Sequence, residues 1–401
     1  MKVLVINSGS SSIKYQLFDM GDESVLCSGL VERIGEEVGS LTHKIAPDTD
    51  AADKLALEQP IPDHEVGMTL AIDLICGERG VVKDKSEIAA IGHRIVHGGE
   101  KLHQPTLVDD SVVEELEKII PLAPLHNPGH LAGISVARSL FPDVPQVVVM
   151  DTAYHQTLPP EAYMYALPYE LYDELRIRRY GFHGTSHCYV AKEAARVVGK
   201  SFEEFNVITV HLGNGCSMTA TKNGKAVDTS MGITPLEGLV MGTRSGDVDP
   251  ALHALLARTK NMTSEDVDRM LNKESGLKGL CGMNDMRDIH AAIAKGDEKA
   301  KLALDVQTYR NRKYIGSFMA VLGTVDAIVF TAGIGENDNI VRRESVKGLE
   351  CFGVKIDEEI NAQRASEPLK ISTDDSSVAV WVIPTNEELA IARETKDVLN
   401  G

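Results

Sequence analysis

The sequence predicts an α/β protein built from two related domains, and three observations predict it. Apolar, β-branched runs bounded by glycine or polar clusters recur at 2–6 (KVLVI), 145–150 (PQVVVM), 206–212 (NVITVHL), 325–331 (VDAIVFT) and 377–383 (SVAVWVI), as buried strands do. Helical patterns lie between them. The order apolar strand, glycine loop with small hydroxyl residues, new strand start occurs at Met1–Lys14 and again at Asn206–Thr219, about half the 401-residue chain apart. Duplicated halves produce such an echo.

Each element has its own signal. The stretch from Ser111 to Ile120 predicts a helix with Val113, Leu116, Ile119 and Ile120 on one side. A second helix runs from Ser186 to Val198 and is closed by Gly199; a long one spans about Glu298 to Leu322. The last helix is expected to start at Thr385 as N-cap, with Glu388 three residues on completing a capping box. The polar, acidic stretches near 35–65 and 366–377 read as excursions or loops.

Composition bounds the function. Lys and Arg number 41 against 59 Asp and Glu, a formal net charge of −18, so no electrostatic footprint for nucleic acid or an anionic membrane is present. At about 150 residues per domain the length suggests two or three domains, and 43% apolar residues suffice for their cores. The longest stretch without Asp, Glu, Lys or Arg, 119–137, holds three prolines, two histidines and an asparagine, unlike a membrane-spanning helix. The N-terminal apolar run is too short for a signal-peptide core, which places the protein in the cytoplasm. Six scattered cysteines without C-x-x-C indicate free thiols, mostly buried, rather than a zinc site or a disulfide framework.

Three glycine loops carry the chemistry-bearing patterns. In Asn7-Ser-Gly-Ser-Ser-Ser-Ile-Lys14, Gly9 permits a tight turn, and a resumed strand would put Ser10, Ser12 and Lys14 on one face, the composition of a phosphate cradle. A Ser-rich hairpin has the same composition. His211-Leu212-Gly213-Asn214-Gly215 offers unscreened backbone N–H groups. Thr331-Ala-Gly333-Ile334-Gly335-Glu336-Asn337 follows a strand but continues with Asp338, so a dinucleotide fingerprint is not completed. No Walker motif is found either: the nearest stretch, 194–201, lacks the first glycine. Glycine loops without these signatures suggest a nucleotide held between two domains.

The remaining patterns are cationic, imidazole-bearing or acidic. Arg94, in IGHRIVHGGE, and Arg244, in MGTRSGD, each sit among glycines; a planar guanidinium there suits bidentate contact with carboxylate or phosphate, with a surface salt bridge as the alternative. His183, in YGFHGTSH, stands at a helix entrance, where capping or core packing is the competing role. Asp151 follows VVVM and so falls at the carboxyl end of a strand, where α/β sheets place ligand contacts.

With these residues laid out, the sequence resembles the acetate kinase family. NSGSSSIK, HRIVHGGE, DTAYHQT, RRYGFHGTSH, HLGNGCSM with DTSMGITPLEGLVMGTRSGDVDP, FTAGIGEN and IPTNEELAIARET occur in order from position 7 to about 395. The resemblance implies two duplicated actin-like (ribonuclease H-like) domains around an interdomain nucleotide cleft. Residues 1–151 with 387–401 would form the acetate and phosphate side, and 152–386 the nucleotide-binding, dimerising side. It also implies the reaction ATP + acetate ⇌ ADP + acetyl phosphate with Mg2+, or Mn2+ in its place, in a homodimer.

Carried over by residue, the resemblance makes Arg94 the acetate contact, Asp151 the residue labelled catalytic, and His183 and Arg244 the stabilisers of the phosphoryl group in flight. Val96, Leu125, His126, Phe182 and Pro235 would line the acetate site. Asn7 and Glu387 would lie at the metal, and Ser10, Ser12 and Lys14 at the nucleotide phosphates. His211, Leu212, Gly213, Asn214, Gly215, Asp285, Met286, Arg287, Gly333, Ile334, Gly335, Glu336 and Asn337 would supply the remaining nucleotide contacts. A propionate kinase shares this chemistry, and Val96 favours the smaller acid.

The chemistry needs these residue types. Acetate approaching a γ-phosphate brings like charges together, at roughly 4 kcal/mol for each unit pair at about 4 Å and an effective dielectric near 20. Two arginines and a cation offset that repulsion. The acetate carboxylate is already ionised at neutral pH, so no proton awaits a general base. Asp151 is therefore expected to act through the hydration shell of the Mg2+ and by orienting a cationic group.

Overall fold

Alternation along the first strand shapes the first sheet. In the computed structural model, which describes residues 1–47, 49, 52–77, 80–124 and 126–401, β1 (Lys2–Ser8) turns Leu4 and Ile6 to one apolar cluster and Val3 and Val5 to another, the period-two pattern of a strand buried on both faces. β2 (Ser12–Asp19) and β3 (Ser24–Glu32) follow as antiparallel neighbours. β4 (Gly39–Ile45) and β5 (Asp53–Gln59) extend the sheet, then β6 (Ile88–Ile95), β7 (Thr106–Leu107) and β8 (Gln146–Met150) complete it in the order β5-β4-β3-β2-β1-β6-β8-β7. β6 runs parallel to β1, and β8 parallel to β6.

The chain divides into two compact units, Met1–Ala153 with Asn386–Gly401, and Tyr154–Thr385. In the first, helices His64–Ile75 and Asn127–Leu140 cover one face of the sheet and the last helix, Glu387–Asn400, covers the other. The last helix crosses β6 at Gly92, where a Cβ would stand 2.4 Å from Thr395 Oγ1 and 2.8 Å from Ile391 Cγ2.

The second unit repeats the plan. β9 (Val207–Leu212), β10 (Cys216–Lys222) and β11 (Lys225–Thr229) are antiparallel neighbours. β12 (Ala327–Thr331) and β14 (Ala379–Val382) lie parallel beyond β9, with the two-residue β13 (Leu369–Lys370) at the edge. Thus β3-β2-β1-β6-β8 and β11-β10-β9-β12-β14 share strand order and direction, and the echoed segments are the β1–β2 and β9–β10 pairs. Helix Gly184–Val198 packs Val190, Ala191, Ala194 and Ala195 against Val207, Ala327 and Val329.

Several local expectations are corrected. The 35–65 stretch is not a loop but largely the β4–β5 hairpin; β5 carries exposed charge on both faces as an edge strand does, which hides its period from a hydropathy reading. The predicted helix at Ser111 starts at Asp110, capped by Asp109, and ends at Lys118 with Val112 and Leu116 buried. Val113 and Ile119 pack only partly against that cluster. The last helix is capped by Asn386, not Thr385: the Asn386 side chain accepts from the Leu389 N–H. Thr385 spends its N–H on Glu336 and pairs its hydroxyl with Ser186, while Glu388 pairs with Lys14. Of the six free cysteines, Cys27 and Cys216 are buried, Cys351 is exposed and the rest are intermediate.

Candidate active site

In the first unit, three adjacent parallel strands deliver the site residues at their carboxyl ends. Asn7 is the penultimate residue of β1, Arg94 that of β6, and Asp151 follows β8 directly. The Arg94 guanidinium forks onto Asp151, with Nε donating to Oδ1 at 3.0 Å and Nη2 to Oδ2 at 2.7 Å. Its Nη2 is also 3.8 Å from Glu387 Oε2 in the first turn of the last helix. Burial opposes the charge on Arg94, but Asp151 and Glu387 outweigh it and raise its pKa. Burial pushes Glu387 up from the ordinary glutamate value, Arg94 opposing and Asp151 and Glu388 adding to the rise.

The β1–β2 turn is held from outside. Gly9 donates to the Ser12 carbonyl at 2.8 Å, and its own carbonyl is 2.7 Å from His64 Nε2. Helix Asn127–Leu140 presses on the turn: a Cβ on Gly129 would meet the Gly9 carbonyl carbon at 2.7 Å and Ser10 N at 3.0 Å, and one on Gly133 would meet Ser8 Cβ at 2.6 Å. Ser10 is exposed, Ser12 part-buried, and Lys14 pairs with Glu388. Buried Val96 donates its N–H to His130 Nε2 at 3.2 Å, and part-buried His126 precedes the Asn127 helix. Leu125 lies outside the described residues.

Asn7 and Glu387 offer oxygen donors, the kind hard divalent cations take, and the positive charge of a cation nearby would offset the desolvation that raises Glu387. No cluster of three or more His, Cys, Asp or Glu arranged for a metal is found among the described residues. A cation held here would therefore draw its other ligands from phosphate oxygens and water.

In the second unit, His183, Arg244 and Gly215 converge. His183 is in the left-handed region, at φ 58°, immediately before helix Gly184–Val198 and makes no side-chain cap. Its ring stacks on His211 with centroids 4.2 Å apart and planes 18° apart. A Cβ on Gly215 would stand 3.4 Å from both His183 Nε2 and Arg244 Nη1. Arg244 Nη1 donates to the Pro235 carbonyl at 3.1 Å; among the described residues no carboxylate pairs with this guanidinium, and burial lowers its pKa. Phe182 is buried beside this histidine in sequence.

A cavity of about 700 Å³ in the same unit gathers the second and third glycine loops. Gly213, Asn214, Asp285, Met286, Arg287, Gly333, Ile334 and Asn337 line it, together with Asn284, His290, Asp338, Asn339, Ile340 and Arg364. His211, Leu212, Gly215, Gly335 and Glu336 do not. Gly335 and Glu336 instead give their carbonyls, each at 2.9 Å, to Arg342 Nη1. The Glu336 carboxylate accepts from the N–H groups of Ala332 at 2.8 Å and Thr385 at 3.0 Å.

The acetokinase family model matches residues 2–393. The chain belongs to the acetokinase family. An acetate kinase of Desulfotalea psychrophila is 63% identical over the whole of both chains. Among solved structures, an acetate kinase of Porphyromonas gingivalis matches at a TM-score of 0.94 and 42% identity, covering 99% of each chain. A propionate kinase from Francisella tularensis matches at 0.92 and 42%, also over 99% of each.

Sequence reasoning missed the residues that hold these loops in place. His64, Gly129 and Gly133 shape the β1–β2 turn, and Arg342, 1% exposed, anchors the third glycine loop. Only the small-xxx-small spacing of Gly129 and Gly133 on one helix face left a readable signal. His290, 2.6 Å from Asp338, stood in a helical run without a motif.

Proposed function

We propose that the chain catalyses reversible, direct in-line phosphoryl transfer between ATP and acetate, giving acetyl phosphate and ADP. The observation that carries this reading is the Arg244 guanidinium, part-buried without a carboxylate partner among the described residues and converging with His183 on Gly215. A desolvated cation so placed favours an anion, and a transferring phosphoryl group supplies one.

The first unit serves the acceptor. Arg94 takes the acetate carboxylate, and Asp151, holding Nε and Nη2, fixes which edge of the guanidinium faces the substrate. Buried Val96 narrows the space for the acyl group in this unit. In the second unit His183 and Arg244 meet the phosphoryl oxygens, and the 700 Å³ cavity holds the nucleotide. When bound at Asn7 and Glu387, a divalent cation, Mg2+ by family resemblance, supplies positive charge to the phosphate oxygens. The reading includes action in the cytoplasm and a homodimer formed through the second unit. Family membership supports both, and no helix among the described residues is long and apolar enough to cross a membrane.

One methylene is worth about 1–3 kcal/mol in an apolar pocket, so preference between acetate and propionate is a matter of degree. The test is a coupled assay of ADP formation with acetate, propionate and butyrate titrated separately and the acyl phosphate trapped as hydroxamate. Acetate is expected to give the highest kcat/KM, and Arg244→Ala to lose about 10²–10³ in kcat. Preference for propionate would overturn the role of Val96, and turnover independent of any acid would overturn the reaction.

A further inference from the structure

Behind His183 the second unit holds a chain of polar side chains that the phosphoryl-transfer reading leaves unused. His183 Nδ1 is 2.8 Å from Ser217 Oγ, the same hydroxyl is 2.7 Å from His187 Nε2, and His187 Nδ1 is 2.7 Å from Thr209 Oγ1. Ser217, His187 and Thr209 are each 0% exposed, so their partners are one another rather than bulk water. Thr209 belongs to β9 and Ser217 to β10. The chain is therefore mounted on a rigid sheet, while His183 itself sits in a left-handed turn that a non-glycine residue adopts at a cost.

A hydroxyl has one proton, so Ser217 donates to one imidazole and accepts from the other. Burial keeps His187 neutral by holding its pKa well below the ordinary histidine value, which leaves it one N–H and one lone pair. Two directions are open to such a chain, and the bond that Thr209 donates to the Thr219 carbonyl at 3.4 Å favours the one in which His187 Nδ1–H donates to Thr209, Ser217 to His187 Nε2, and His183 Nδ1–H to Ser217. In both, His183 Nδ1 is committed to Ser217, and Nε2 is the nitrogen turned towards Gly215 and Arg244 Nη1. Stacking on His211 sets the ring plane; the hydrogen bond to Ser217 sets its rotation within that plane.

We propose that Ser217 is a positioning residue for the reaction, its hydroxyl anchored by His187 and Thr209 so that it holds His183 by Nδ1 and aims Nε2 at the transferring phosphoryl group. The inference rests on His183 acting at that group, and a double-mutant cycle separates the two claims. Wild type, Ser217→Ala, His183→Ala and the double variant are compared for kcat and for the KM of ATP and acetate, with thermal unfolding alongside. Ser217→Ala is expected to lose about 3- to 10-fold in kcat, the scale of an ordinary hydrogen bond, with both KM values little changed. His183→Ala loses about 10²–10³, and adding Ser217→Ala to it costs nothing more.

If His183→Ala keeps wild-type kcat, the parent reading of His183 fails. If His183→Ala loses activity while Ser217→Ala keeps it, or if Ser217→Ala costs the same factor in both backgrounds, the positioning role is overturned. Should Ser217→Ala not fold, Ser217→Cys, of similar size and with a weaker donor, takes its place in the cycle with the same outcomes.

Discussion

Asp151 lies at the end of a fully buried strand with both carboxylate oxygens engaged by one guanidinium. In the proposed reaction an acid so occupied orients the guanidinium, and the acceptor, an ionised carboxylate, gives a base nothing to do. Asp151→Asn keeps the size and removes the charge-assisted fork. It is expected to lower kcat/KM for acetate by about 10- to 100-fold and to leave the shape of the pH–rate profile as in wild type. An acidic limb, with the rate rising through an ordinary carboxylate pKa, that disappears in Asp151→Asn would sink this account. From sequence, Arg94 and Asp151 could each be singled out by their surroundings, a guanidinium among glycines and an acid after VVVM. That they pair was not legible, because 56 residues and the whole β6-to-β8 crossover separate them along the chain. The same holds for Ser217, an unremarked hydroxyl in a strand until β10 sets it beside His183 and His187.

Among the elements, helix Asn127–Leu140 does the most to shape the first glycine turn. Gly129 lets its backbone close on Gly9, and an added methyl would stand 2.7–3.0 Å from backbone atoms that have nowhere to go. Gly129→Ala is expected to cost about 1–3 kcal/mol of stability by overpacking and to raise the KM for ATP by displacing Ser10 and Ser12. Gly316→Ala, in the middle of the long helix Glu298–Leu322, has nothing within 4 Å of its Cβ and should be neutral or gain up to about 1 kcal/mol. Urea unfolding of both variants checks the pair, and equal effects would remove the packing argument. The long helix was legible to the residue, with Asp297 at its N-cap and Gly323 beyond its end. The last helix was misread by one residue at its cap, because Thr385 and Asn386 are both good N-caps and tertiary partners decided between them: Glu336 and Ser186 hold Thr385.

Across the whole molecule, buried neutral histidines tie stability to pH. Burial lowers His93 to about 4 and His130 to about 3 in the first unit. It lowers His155 to about 3 and His187 well below its ordinary value in the second. Each has a folded pKa below its unfolded one, near 6.5, so the unfolded state binds more protons as pH falls. Their stabilisation is complete above about pH 6.5 and is lost as pH drops through that value towards the folded pKa, at up to about 1.4 kcal/mol per pH unit for each histidine. His290, raised by its hydrogen bond to Asp338, runs the other way, while His43, also lowered by burial, runs with the four. Urea midpoints are expected to fall steeply from pH 7 to pH 5; midpoints that do not change across that range would contradict the assignment.

The sequence by itself determined the α/β class and the half-length echo and singled out candidate residues for chemistry, since strand periodicity, glycine turns and a guanidinium among glycines are local properties. The resemblance to the acetate kinase family, rather than any local pattern, grouped most of the residues that line the cavity of the second unit. Tertiary structure alone decided which groups face one another: Arg94 with Asp151, His183 with Ser217, Gly129 with Gly9, Arg342 with the third glycine loop. The physical reason is range. A turn or a helix cap is settled by neighbours a few residues away, whereas a hydrogen bond between strands depends on register and on what the rest of the core excludes from water.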